Sequence, residues 1–144
     1  MLIGISPLIS PDLLSTLCRM GHGDEIVLSD AHFPGESVNS RVLRADGIKV
    51  IPLLAAILPL FKLDESVDFP VTMMAPTKED TYDPRLFEVC TETIQKIWPD
   101  TPPINFIERQ AFYEQAKKTF AVVVTGETTK YGNIILKKGV TPIN

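Results

Sequence analysis

Glu25-Ile26-Val27-Leu28-Ser29 is the stretch on which the fold turns; Gly21-His22-Gly23-Asp24 precedes it and Asp30-Ala31-His32-Phe33-Pro34-Gly35 follows. Its unbroken apolar run Ile26-Val27-Leu28 describes a strand buried on both faces, as in a sheet covered by helices. The residues from Asp30 to Gly35 then form a loop at the carboxyl end of that strand, where α/β folds place their ligands.

Outward from this strand, helix and strand signals alternate. Upstream, Ser10-Pro11-Asp12 opens a helix, with Ser10 as N-cap and Pro11 in the first turn. Leu13, Leu14, Leu17 and Cys18 fall at helical spacing, and Gly21 or Gly23 should stop the helix. Downstream, Asp46-Gly47 is a turn, residues 48–51 read as a short strand, and Pro52 starts an apolar helix over 53–61 that Pro59 stops or kinks. Residues 71–75 are a strand and 78–82 a polar loop. Asp83-Pro84 opens a helix through 97 with Leu86, Phe87, Cys90, Ile94 and Ile97 on one face. A Pro-rich link over 98–103 leads to a short strand at 104–107, a helix at 110–118, a buried strand at 120–125, a turn at 126–130 and a last strand at 133–136. The alternation predicts an α/β fold in one domain over residues 1–144.

Composition narrows the function. The chain has 144 residues with 44% hydrophobic and 22% charged, so a packed core is expected and a wholly disordered chain is not. Eighteen acids against fourteen bases give a net charge of -4, and the only paired bases singled out are Lys117-Lys118 and Lys137-Lys138, so no nucleic-acid partner is expected. Two cysteines, Cys18 and Cys90, make neither a disulfide framework nor a zinc site. The apolar stretch from 50 to 61 is too short to span a bilayer, and the N-terminus lacks the features of a signal peptide, so no membrane role and a cytoplasmic location are expected. Walker, GxGxxG, HExxH and GxSxG motifs do not occur. Any chemistry here should run on acid–base groups.

Only two histidines are available, and they flank the first strand. His22, between two glycines, is a candidate proton shuttle; it could equally cap the preceding helix. Asp30 at the strand end could bind a hydroxyl or act as a base, or serve only its own turn. Five strand residues rise roughly 16 Å, so a site using both His22 and Asp30 needs a return of the chain or a second subunit. His32 could pair with Asp30, and a metal held by those two is a weaker reading. Arg109 could fork onto oxygens or be a surface charge. Tyr131-Gly132-Asn133 suits a sugar, or is an ordinary turn. Tyr113 and Trp98 could stack on a sugar or simply fill the core.

Several segments taken together resemble the family that contains D-ribose pyranase and fucose mutarotase. They are Gly21-His22-Gly23-Asp24-Glu25, Ser29-Asp30-Ala31-His32-Phe33-Pro34, Arg44-Ala45-Asp46-Gly47, Ala111-Phe112-Tyr113-Glu114, Thr125-Gly126-Glu127, and Lys130-Tyr131-Gly132-Asn133-Ile134 through Lys138-Gly139-Val140-Thr141-Pro142. The likeness runs from Ile5 to Pro142 and is weakest over residues 85–105. It implies a three-layer α/β/α domain with a mixed central sheet and an isomerase of sugar anomers working without metal or organic cofactor. It further implies a ring-like homo-oligomer, commonly a decamer, with sites near subunit contacts. By resemblance, His22 is the catalytic acid/base. Asp30, Arg109, Tyr131, Gly132 and Asn133 bind the monosaccharide, with His32 and Tyr113 as further candidates. His32 and Arg109 stand where the ribose branch has glycine and histidine, which favours the fucose branch. Gly35-Glu36, residues 100–103 and the tail Ile143-Asn144 depart from the fucose pattern. Two alternatives remain at this level: a ribose or other monosaccharide mutarotase, and a sugar-binding protein without catalysis. A metal-dependent lyase using His22, Asp30 and His32 is a third.

Overall fold

A computed structural model describes residues 1–143; Asn144, the end of the departing tail, lies outside the described residues. The decisive stretch is a strand over the expected residues: β1 is Glu25–Ser29, with all but Glu25 buried. The other strands are β2 Val42–Ala45, β3 Val71–Met74, β4 Asn105–Ile107, β5 Ala121–Thr125 and β6 Ile134–Lys137; the helices are α1 Pro11–Arg19, α2 Gly35–Val38, α3 Val50–Ile57, α4 Arg85–Ile97 and α5 Arg109–Lys117. The strands form one six-stranded sheet in the order β2-β5-β1-β6-β3-β4. β5 runs parallel to β1 and β2, and β3 parallel to β4. β6 alone runs antiparallel, between β1 and β3. The sheet is therefore mixed, and the carboxyl ends of five strands share one edge with the amino end of β6.

Alternating side chains separate two cores. Ile26, Leu28, Val71, Met73, Val123, Ile134 and Leu136 pack against α1, α3 and α4. Val27, Met74, Val122, Val124 and Ile135 pack on the other face against Phe112 and Ala116 of α5. This is the expected helix–sheet–helix sandwich. Every described buried side-chain polar atom has a hydrogen-bond partner.

Four local expectations need correction. Residues 48–51 are not a strand: the apolar run Val50–Ile57 is helical from Val50, and Pro52 in its first turn gives up an N–H that lacks an intrahelical partner there. Pro59 does close that helix, inside the 3₁₀ turn Leu58–Leu60. α1 ends at Arg19, before either glycine, because Met20 turns extended and Lys138 Nζ takes the Leu17 and Met20 carbonyls at 3.1 and 2.6 Å. Gly35–Val38 and Val42–Ala45, read without any element, are α2 and the edge strand β2; both are too short to show a period. Ser10 does cap α1, accepting from Leu13 N at 3.1 Å. Cys18 is exposed and free, while Cys90 is buried, its thiol pushed up to about 12 by burial.

Two motifs of the resemblance meet near the β2 edge. Arg44 clamps Asp46 through Nη2–Oδ1 at 2.6 Å and Nε–Oδ2 at 3.3 Å. The Asp46 carbonyl lies where a side chain on Gly126 would go: a Cβ there would come within 2.0 Å of that oxygen.

Candidate functional site

The shared edge of carboxyl strand ends is tied together by short bonds. Thr125 Oγ1 donates to the Ser29 carbonyl at 2.6 Å, and Ala31 N donates to the Glu127 carbonyl at 2.8 Å. Above them opens a cavity of ≈ 320 Å³, at the small end of the about 300–1,000 Å³ usual for ligand sites. The loop just after β1 supplies Asp30, the β6 entry supplies Asn133, and the start of α5 supplies Arg109 and Tyr113; His32, Tyr131 and Lys130 come from the adjoining loops. Phe33 and Met74 give it an apolar wall, and Asp80 reaches in from the β3–α4 loop.

Asp30 and Asn133 form the buried floor, each 4% exposed. Asp30 N donates to Asn133 Oδ1 at 2.9 Å, and Asn133 Nδ2 donates to Asp30 Oδ2 at 3.2 Å. Asp30 Oδ1 accepts from His32 N at 3.0 Å. Asp30 thus serves its own turn and also lines the cavity. Burial raises its carboxyl above the ordinary value, against the opposing pull of the His32 N–H, the His32 charge and the Asn133 amide. Gly132 is packed under this floor: a Cβ would lie 2.9 Å from Glu127 Cγ and 3.5 Å from Asp30 Cβ. Tyr131 takes the left-handed conformation, φ 65°, and its hydroxyl donates to Asp80 Oδ2 at 2.6 Å. The Arg109 guanidinium sits 5.5 Å from the Tyr113 ring centroid, and Tyr113 meets Phe33 edge-on. His32 is exposed, with Nε2 3.4 Å from the Thr128 carbonyl oxygen.

His22 lies elsewhere. It precedes β1, at the opposite edge of the sheet, and it does not cap α1. Its Nε2 meets Asp64 Oδ1 at 3.1 Å; His22 is half exposed and Asp64 buried. Ser66 fixes that same oxygen, donating from N at 3.0 Å and from Oγ at 2.7 Å. Burial works to raise the Asp64 carboxyl, but the Ser66 N–H, the Ser66 hydroxyl and His22 together hold it below the ordinary value. Both loops are pinned to the end of β6: Gly23 N donates to the Lys138 carbonyl at 2.8 Å, and Asp64 N to the Lys137 carbonyl at 3.0 Å. A cavity of ≈ 380 Å³ opens beside Asp64, lined by Lys62, Trp98 and the link up to Pro102. Trp98 acts in packing there: its Nε1 donates to the Leu58 carbonyl at 3.0 Å and Lys62 stacks on its ring.

One chain therefore gathers Asp30, His32, Arg109, Tyr113, Tyr131 and Asn133 around one cavity, with Gly132 beneath them, and leaves His22 on the far side. Among the described residues no group of three His, Cys, Asp or Glu side chains is placed to hold a metal ion. Sequence reading missed Asp80 and Lys130 at the cavity and Asp64 beside His22. Asp64-Glu65-Ser66 did carry a signal, an aspartate two residues before a serine at a turn; Asp80 carried none.

This is a small mixed-sheet α/β domain with a monosaccharide-sized cavity at its strand ends, in which polar side chains face an apolar wall. The chain belongs to the RbsD / FucU transport protein family, whose model it matches over residues 3–141. It is 54% identical over 143 residues to the L-fucose mutarotase of Actinobacillus pleuropneumoniae serotype 5b (strain L20), covering 99% of each chain. It superimposes on the crystal structure of the fucose mutarotase from Streptococcus pneumoniae in complex with L-fucose with TM-score 0.93 and 44% identity, covering 98% of this chain and 100% of that one. Bacillus subtilis RbsD complexed with D-ribose shares the fold, at TM-score 0.73 and 21% identity over 99% of this chain and 100% of that one.

Proposed function

We propose that this chain is an L-fucose mutarotase, an isomerase that interconverts the α and β anomers by opening and reclosing the sugar ring. The observation that carries the reading is the buried Asp30–Asn133 floor under a monosaccharide-sized cavity, in a chain that matches L-fucose mutarotase over its full length. In ring opening, a base takes the proton of the anomeric hydroxyl, the bond from the anomeric carbon to the ring oxygen breaks, and an acid protonates that oxygen. The aldehyde turns about its first carbon–carbon bond and recloses with both proton transfers reversed. One positioned acid/base contributes about 10²–10⁴-fold, and no electron transfer is involved.

Asp30 and Asn133 hold sugar hydroxyls from below, Arg109 and Tyr131 from the sides, the Gly132 backbone closes the turn, and Phe33 and Tyr113 face the apolar side of the ring. His22 is the proton shuttle, contributed by a second copy of the chain. Its distance from the cavity within one chain favours a site shared between copies, in which the His22–Asp64 end of one copy closes the cavity of the next; the ring-like homo-oligomer, commonly a decamer, is what the family resemblance implies. The compartment is the cytoplasm.

Saturation-transfer NMR tests the activity directly. Irradiating one anomeric proton of L-fucose should transfer saturation to the other, with D-ribose and D-galactose exchanging more slowly. Binding without transfer would leave only a sugar-binding protein. Mixing His22→Gln chains with Asn133→Ala chains should restore exchange at about a quarter of the sites if they are shared between copies. Failure of recovery, with His32→Gln inactive, would move the shuttle to His32 within one chain.

A further inference from the structure

The loop between β3 and α4 brings one carboxylate into the cavity, Asp80, and both its oxygens are already engaged by the turn before β6. Oδ1 accepts from Lys130 Nζ at 2.8 Å, and Oδ2 accepts from the Tyr131 hydroxyl at 2.6 Å. Thr77 N donates to the same phenolic oxygen at 3.3 Å and Thr77 Oγ1 lies 3.3 Å from it, at the long, weak end of hydrogen-bond distance, where a better-placed donor can displace them. A phenol has one proton and an acceptor oxygen, whereas an ionised carboxylate only accepts. Lys130, and then Tyr131, hold the Asp80 carboxyl below its ordinary range, so it stays ionised at neutral pH. The single Tyr131 proton is thereby committed to Asp80, and what Tyr131 shows the cavity is a lone pair.

We propose that Asp80 is a positioning residue that sets the polarity of Tyr131, making it an acceptor-only contact that selects sugars with a donating hydroxyl at that place. The proposal rests on the monosaccharide reading of the cavity and deepens it into a specificity rule. Lys130 makes the rule invertible. In Asp80→Asn the Lys130 ammonium, which can only donate, favours the amide carbonyl on its side. The amide NH₂ then faces Tyr131 and donates to it, and the phenolic proton is free to turn into the cavity as a donor.

The test is calorimetric binding of L-fucose and its monodeoxyfluoro analogues, each with one non-anomeric hydroxyl replaced by fluorine, which cannot donate. The wild-type chain should bind one analogue about tenfold or more weakly than L-fucose. In Asp80→Asn that penalty should fall to about threefold or less. Asp80→Ala, which also frees the phenolic proton, should relieve it too, and Tyr131→Phe should erase the difference. An equal penalty in wild type and Asp80→Asn overturns the proposal, as does uniform weakening of every analogue or the absence of any penalised analogue in wild type. Anomer exchange measured on the same samples separates the two levels. Polarity inversion without exchange removes the mutarotase reading alone; exchange without inversion removes only the role of Asp80. A wild-type chain that binds none of these sugars at millimolar concentration overturns both.

Discussion

Asp30 and Asp64 each expose only 4% of their surface, but Asp30 is set much deeper, and they stand at opposite ends of one sheet with their carboxyls shifted in opposite directions. Burial is the largest influence on both, and it raises both. Around Asp64 two Ser66 donors and the His22 imidazole outweigh it; around Asp30 the His32 N–H, the His32 charge and the Asn133 amide do not. Asp64 is a satisfied anchor whose bonds orient the imidazole in front of it. Asp30 is an incompletely compensated carboxylate facing a cavity, as expected of a group that waits for ligand hydroxyls. Their contributions to folding consequently run against each other with pH. The Asp64 contribution is present above its ordinary value and lost as pH falls through its lowered folded value. The Asp30 contribution is present below its ordinary value and lost as pH rises through its raised folded value.

Perturbing each edge in turn breaks or sharpens this comparison. The largest effect is expected at His22: His22→Gln should cut anomer exchange by about 10²–10⁴-fold while the circular dichroism spectrum and thermal midpoint stay close to wild type. Unaltered exchange would falsify the shuttle. Next, Gly126→Ala forces a Cβ onto the Asp46 carbonyl near the β2 edge. It should cost about 3 kcal/mol of folding stability in denaturant titration, and a loss under about 1 kcal/mol would mean that the backbone yields there. Asn133→Ala leaves Asp30 N and Oδ2 without a partner. It should weaken L-fucose binding by about 2 kcal/mol in calorimetry and raise the Asp30 carboxyl further. An unchanged affinity would reduce the floor to scaffolding. The smallest effect belongs to Asp64→Asn. It should destabilise the fold by about 1 kcal/mol at neutral pH, and the deficit should begin to shrink near the ordinary carboxylate value of 3.8 and vanish only below the lowered folded value. A deficit that does not change with pH would show that the carboxylate charge plays no part.

The fold was legible wherever burial is two-sided or a helix is long enough to show its period. Ile26-Val27-Leu28 and the run from Ala121 to Thr125 announce central strands because both faces are apolar. The α4 face from Leu86 to Ile94 announces a helix because three turns repeat it. β2 and α2 escaped because four residues at a sheet edge, partly exposed, carry no period. Val50 to Ile57 misled because an apolar run of that length suits a buried strand start as well as a buried helix.

The sequence by itself determined the helix–strand alternation, the loop after β1 as the place for a ligand, and, through its motifs, the family and the residues from Asp30 to Asn133 as candidates. Those residues are local: each sits at a strand end, in a turn or in the first turns of α5, placed there by its own neighbours. Pairings between distant segments were decided only in three dimensions. The antiparallel insertion of β6 brings Asn133 under Asp30 across 103 residues, and His22 meets Asp64 across 42. Asp80 reaches the cavity only because the loop after β3 folds over the turn before β6. The physical reason is the same in each case: a hydrogen bond between two loops depends on sheet order and register, which no local spacing encodes.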